Sequence, residues 1–157
     1  MSAATAVTAP TPSTAELLAV AALPLTDRML IAADVMTGGN PALLGETLRL
    51  MADTFRRAAL GVRDAALLRH LDGNARECRK LAWSVTMAER TAALLGEGTG
   101  TVSLGVGATQ FAKALEESAA DPTFTPASRA ELAEGHARAS ALLRHLARCD
   151  ARRVAQP

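Results

Sequence analysis

Aromatic side chains are nearly absent from this chain. Its 157 residues contain no tyrosine, one tryptophan and three phenylalanines. A core must therefore be aliphatic, built from Leu, Val and Met around alanine, which supplies about a fifth of the residues. The β-branched and aromatic residues that suit a pleated sheet never cluster, which excludes an all-β fold and predicts an all-α one. Two cysteines allow one disulfide at most, so a bridged secretory scaffold is excluded and reduced thiols in a cytoplasmic protein are expected. Charge of one sign is also missing. With 17 basic and 16 acidic residues, no net field draws in a phosphate backbone or an anionic membrane, which argues against nucleic acid as a partner. No run of about 18 apolar residues occurs, so no membrane span is expected.

What is present is helix punctuation. Residues 1–12, small and polar with two prolines, read as a disordered tail. The remainder, 13–157, reads as a single domain. Ser13 and Glu16 form a capping-box pattern for a helix that Pro24 stops. Thr26 or Asp27 should cap a second helix, which Gly38-Gly39 ends. Asn40-Pro41 opens a third, running to about Leu60, with Leu44, Leu48, Met51 and Phe55 on one stripe. Val62 to Leu71 resumes as helix, Asp72-Gly73-Asn74 reads as a turn, and Ala75 to Leu95 is helical on an apolar face wide enough for a central element. A glycine-rich loop is expected at 96–107, followed by a helix from Ala108 to Ala120 and a last one from Thr125-Pro126 to about Arg153. These elements predict a bundle of six or seven helices, mostly antiparallel.

The chain repeats one phrase. Ala66-Leu-Leu-Arg-His70-Leu71 returns as Ala141-Leu-Leu-Arg-His145-Leu146, and ALLGE occurs at 42–46 and 93–97. The offsets are 75 and 51 residues, so no constant period supports a repeat architecture. Biased use of Ala, Leu and Arg explains both echoes.

Each candidate chemistry meets a counter-argument. His145 and Cys149, four residues apart, share a helix face and could chelate a metal. His70 and Cys78 are eight apart, about 12 Å along a helix, too far to join one ion. No Glu-x-x-His precedes any histidine, which excludes a di-iron bundle. His70-Leu71-Asp72-Gly73 has a faint likeness to the phosphotransfer histidine pattern, but Asp72 would repel a phosphoryl group. A helix-turn-helix about Gly73 puts Arg79 where an apolar residue is needed. The glycine segment lacks the lysine of a Walker loop and the spacing of a dinucleotide turn. Asp34 is the one carboxylate in a strongly apolar run. A solvent-facing edge is its expected place, and burial would make it a functional candidate.

No catalytic residue, cofactor or metal is therefore expected. The function expected is a non-enzymatic protein-interaction module, an accessory subunit, adaptor or chaperone-like protein that self-associates. Its alternative is a ligand-sensing domain with a pocket near Trp83 and the 96–107 loop. Candidate ligand or interface residues are His70, Trp83, Met87 and His145.

Overall fold

The computed structural model describes residues 11–155, and every regular element among them is helical. The tail expected at 1–12 lies outside the described residues except for Thr11 and Pro12, which have no regular structure. In order come α1 (Thr14–Ala21), α2 (Leu25–Thr37), a single 3₁₀ turn (Pro41–Leu43), α3 (Leu44–Ala59), α4 (Ala65–Leu94), α5 (Thr101–Ala120) and α6 (Pro126–Ala155). No helix is long and apolar enough to cross a membrane.

Local chemistry sets several boundaries. The Ser13 hydroxyl accepts from Glu16 N–H at 3.2 Å while Glu16 Oε2 accepts from Ser13 N–H at 2.6 Å, closing the capping box. Pro24 itself stands at the N-cap of α2, so Thr26 and Asp27 lie inside the helix rather than capping it. Asn40 caps the 3₁₀ turn through Ala42 N–H at 3.1 Å, and α3 follows one turn later than expected.

Two expectations are corrected. The turn at Asp72-Gly73-Asn74 does not form, because α4 continues through it for 30 residues. Gly73 keeps ordinary helical backbone, and Asn74, Ala75, Cys78, Leu81 and Ala82 are buried as one uninterrupted stripe. A mid-helix glycine costs about 1 kcal/mol, less than that stripe gains by burial. The glycine segment also divides. Gly96 (φ 74°) and Gly100 (φ 112°) shape a short loop, whereas Gly105 and Gly107 are already inside α5. A Cβ on Gly107 would overlap the Ala88 carbonyl oxygen and lie 2.9 Å from Ala92 N, so this glycine permits backbone contact between α4 and α5.

α4 packs against α2, α3, α5 and α6. The main core cluster gathers Leu30, Leu44, Leu48, Leu81, Val85 and Leu142 with many alanines, and a second joins Phe111, Ala112, Leu115 and Ala139. The charged face of α3 pairs across to α4 rather than along its own helix. Arg49 donates to Thr86 at 2.6 Å, and Asp53 lies 3.6 Å from Arg79.

Two glycine substitutions should move stability in opposite directions. Gly107→Ala should cost about 3 kcal/mol, because the added methyl meets backbone that cannot yield. Gly73→Ala, with open space around it, should add about 0.5–1 kcal/mol. Urea unfolding midpoints of the two variants and the parent check both signs.

Candidate functional site

The face of α2 turned toward α6 carries two carboxylates seven residues apart, Asp27 and Asp34. Seven residues is about two helical turns, so both point the same way. α6 answers with Arg144, His145, Arg148 and Cys149, two adjacent pairs one turn apart. Arg144 and Arg148 take Asp27, while His145 and Cys149 take Asp34.

Asp27 is 1% exposed. Arg144 grips it with a two-pronged contact, Nε to Oδ1 and Nη2 to Oδ2, both 3.2 Å, and Arg148 Nη1 adds a third at 3.2 Å. Burial alone would raise the Asp27 pKa. The hydrogen bonds and charges of the two guanidiniums outweigh it and hold the carboxyl below its ordinary value. A second clasp lies nearby. Arg138 holds Glu77 of α4 at 3.0 and 3.1 Å, and the same carboxylate accepts from Thr26 of α2 at 3.0 Å.

Around Asp34 the contacts differ in kind. His145 is 2% exposed, and its Nε2 stands 3.6 Å from Asp34 Oδ1. Cys149 Sγ lies 3.5 Å from His145 Nε2 and 3.9 Å from Asp34 Oδ2, a reach suited to weak sulfur hydrogen bonds. His145 Nδ1 is buried with no hydrogen-bond partner. Burial holds the imidazole pKa down against the upward pull of Asp34. Burial and then the Asp34 charge push the Cys149 thiol up. Asp34 is not the solvent-facing edge residue expected, since its side chain is only 18% exposed.

Of the four candidate residues, Trp83 and Met87 line a common hollow, and His70 and His145 do not join them there. His70 is exposed on α4 and contacts Asn74 at 3.3 Å, whereas His145 sits against α2, so the repeated phrase has no shared role. Cys78 is buried beside Met29 Sδ at 3.6 Å, with its thiol pushed up to about 11 by burial and the Glu77 charge. Trp83 is 53% exposed and meets Phe111 edge-on at 5.6 Å. It lines a groove of about 620 Å³ with Leu115, Phe124 and Leu132, bordered by Arg79, Lys80, Glu131 and Glu134. Met87, half-buried, packs against the second core cluster. The loop after α4 borders a separate hollow with Pro41, Ala42 and Leu104, which Trp83 does not line. Trp83 is twelve residues before Leu95, about 18 Å along α4, which explains the separation.

Asp34 and Asp27 are the partners that residue spacing missed. In the sequence Asp27 reads only as a helix cap, and the hint for Asp34 is its place as the one carboxylate in an apolar run. No known protein family, curated protein or solved structure matches this chain.

Asp27→Asn should lower stability by about 2 kcal/mol at neutral pH. Breaking a buried ion pair costs more, but Arg144 and Arg148 remain partly hydrated. A carboxyl held below its unfolded value stabilises the fold fully above a pH of about 4 and loses that contribution as pH falls through its folded value. Parent and variant should therefore differ in thermal midpoint at pH 7 and converge in strong acid.

Proposed function

We propose that the protein is a non-enzymatic interaction module, a single helical domain with mostly antiparallel packing, that docks a second copy of itself through the Trp83 groove. The observation carrying this reading is where the scarce aromatics go. Of one tryptophan and three phenylalanines, Trp83 and Phe124 line the groove and Phe111 braces Trp83 edge-on. A chain this short of aromatic side chains leaves two of them 53% and 43% exposed. Half-exposed aromatics over an apolar floor are the residues that dominate protein interfaces.

The rim favours a second copy as the occupant. Its α4 side carries Arg79 and Lys80, and its α6 side carries Glu131 and Glu134. Within one chain Lys80 already pairs with Glu134 at 3.5 Å and Arg79 with Asp53 at 3.6 Å. A two-fold axis that sets α4 of one chain against α6 of the other lets these exposed pairs exchange partners, so the patch complements itself. An adaptor, accessory subunit or chaperone-like role fits such a module. Its two free cysteines suit a reducing compartment such as the cytoplasm.

The groove volume also falls in the range of small-molecule sites, which supports a ligand-sensing role as the second reading. Sedimentation across the micromolar range separates the two. Self-docking predicts a mass that rises toward the dimer while acrylamide quenching of Trp83 falls. Trp83→Ala should weaken association by about 30-fold, the usual cost of losing an aromatic anchor. A strict monomer with Trp83 equally quenchable throughout overturns self-docking. One apolar dye molecule bound per chain, and lost in Trp83→Ala, would then favour the ligand reading.

A further inference from the structure

We infer that Asp34, His145 and Cys149 form a mononuclear zinc site, with three protein ligands and a fourth position open to water or a small ligand. The donor set is one imidazole nitrogen, one sulfur and one carboxylate oxygen, the three ligand types that zinc takes. One atom from each lies within 4.8 Å of the others.

The separations carry the argument. An imidazole that simply hydrogen-bonded Asp34 would stand about 2.8 Å away. The observed distance is 3.6 Å, too long for that bond. Tetrahedral zinc with ordinary bond lengths puts nitrogen and oxygen about 3.4 Å apart, and sulfur about 3.6 Å from either. The structure has 3.5 Å for nitrogen to sulfur, 3.6 Å for nitrogen to Asp34 Oδ1 and 3.9 Å for sulfur to Asp34 Oδ2, the carboxylate turning one oxygen toward each of the other two donors. The nitrogen–sulfur edge already matches that of a coordination tetrahedron, and one oxygen of Asp34 lies within 4.8 Å of both donors. A turn of the Asp34 carboxylate, a soft torsion, brings a single oxygen toward both.

The surroundings suit an ion. His145 and Cys149 are one turn apart on α6, so their spacing is set by the helix. Asp34 is held opposite them because α2 is clasped two turns earlier through Asp27. His145 Nδ1 has no protein partner although it is buried, so no competing bond turns Nε2 away from the site. A thiolate and a carboxylate balance the two charges of the ion. Arg148 Nη1 is engaged by Asp27 at 3.2 Å rather than by Asp34. On binding, sulfur exchanges its proton for the metal, and that proton leaves to solvent. The carboxylate oxygen rules out a soft monovalent ion such as Cu(I) as the preferred occupant.

The full chain, stripped with a chelator and kept reduced, should be titrated with Co²⁺ and then with Zn²⁺. The expected result is one ion per chain, a thiolate-to-cobalt charge-transfer band, its loss on adding Zn²⁺, and proton release on binding. Cys149→Ser, a near-isosteric change, should abolish the band and weaken binding about 100-fold or more. Asp34→Asn should weaken it at least tenfold, in line with the sensitivity of metal sites to their supporting ligands. Cys78→Ser should leave band and affinity unchanged, and circular dichroism should show each variant helical. The inference is overturned if the parent chain gives no charge-transfer band at submillimolar Co²⁺. It is equally overturned if the band survives Cys149→Ser or disappears with Cys78→Ser.

Discussion

Gly107 has no side chain, and the backbone of α4 at Ala88 and Ala92 occupies the space where one would be. That contact fixes how close α5 comes to α4, and the remaining helices are arranged around the pair. α4 is about 45 Å long and is the one helix that packs against α2, α3, α5 and α6 alike. Its buried stripe is rich in alanine, so neighbours approach it closely. α6 follows α5 less closely, with the Leu115 side chain in ordinary contact at the Gly135 position. A core with few aromatics is filled in this way by bringing backbones together instead of inserting large rings.

α6 belongs to both candidate regions. Its first half borders the aromatic groove through Glu131, Leu132 and Glu134, while its second half holds α2 through Arg144, His145, Arg148 and Cys149. Arg138 lies between them. It lines the groove and also grips Glu77, which accepts from Thr26 of α2. A shift of α6 at the groove would therefore be felt at α2 through charge-assisted hydrogen bonds.

Signals acting within a few residues were readable from the chain. The Ser13–Glu16 box, the Gly38 stop and the Leu44–Leu48–Met51 stripe depend only on neighbours along the helix, and all three appear in the structure. Glycine was the weak point, because its two uses look alike in sequence. Gly96 and Gly100 supply left-handed backbone, but Gly107 supplies missing volume and Gly73 supplies neither. The candidate clusters were hidden for another reason. His145 and Asp34 are 111 residues apart, and nothing in the His70 phrase distinguishes it from the His145 phrase. Only the arrival of α2 beside one of them makes the difference, and that is set by packing, not by spacing.

The seven-residue interval between Asp27 and Asp34 acts as a key cut to match the Arg144/Arg148 and His145/Cys149 pairs. Each residue of a helix turns the next by about 100°. Removing a single residue between the two acids would swing one of them off the seam while the other stayed seated, leaving Arg144 and Arg148, or His145 and Cys149, without a partner. The Gly38-Gly39 segment just beyond lies in open space with no such pairing. Length variation across related chains should therefore be absent within α2 and collect immediately after it, so the spacing of two acids becomes a signature by which relatives of this protein could be recognised.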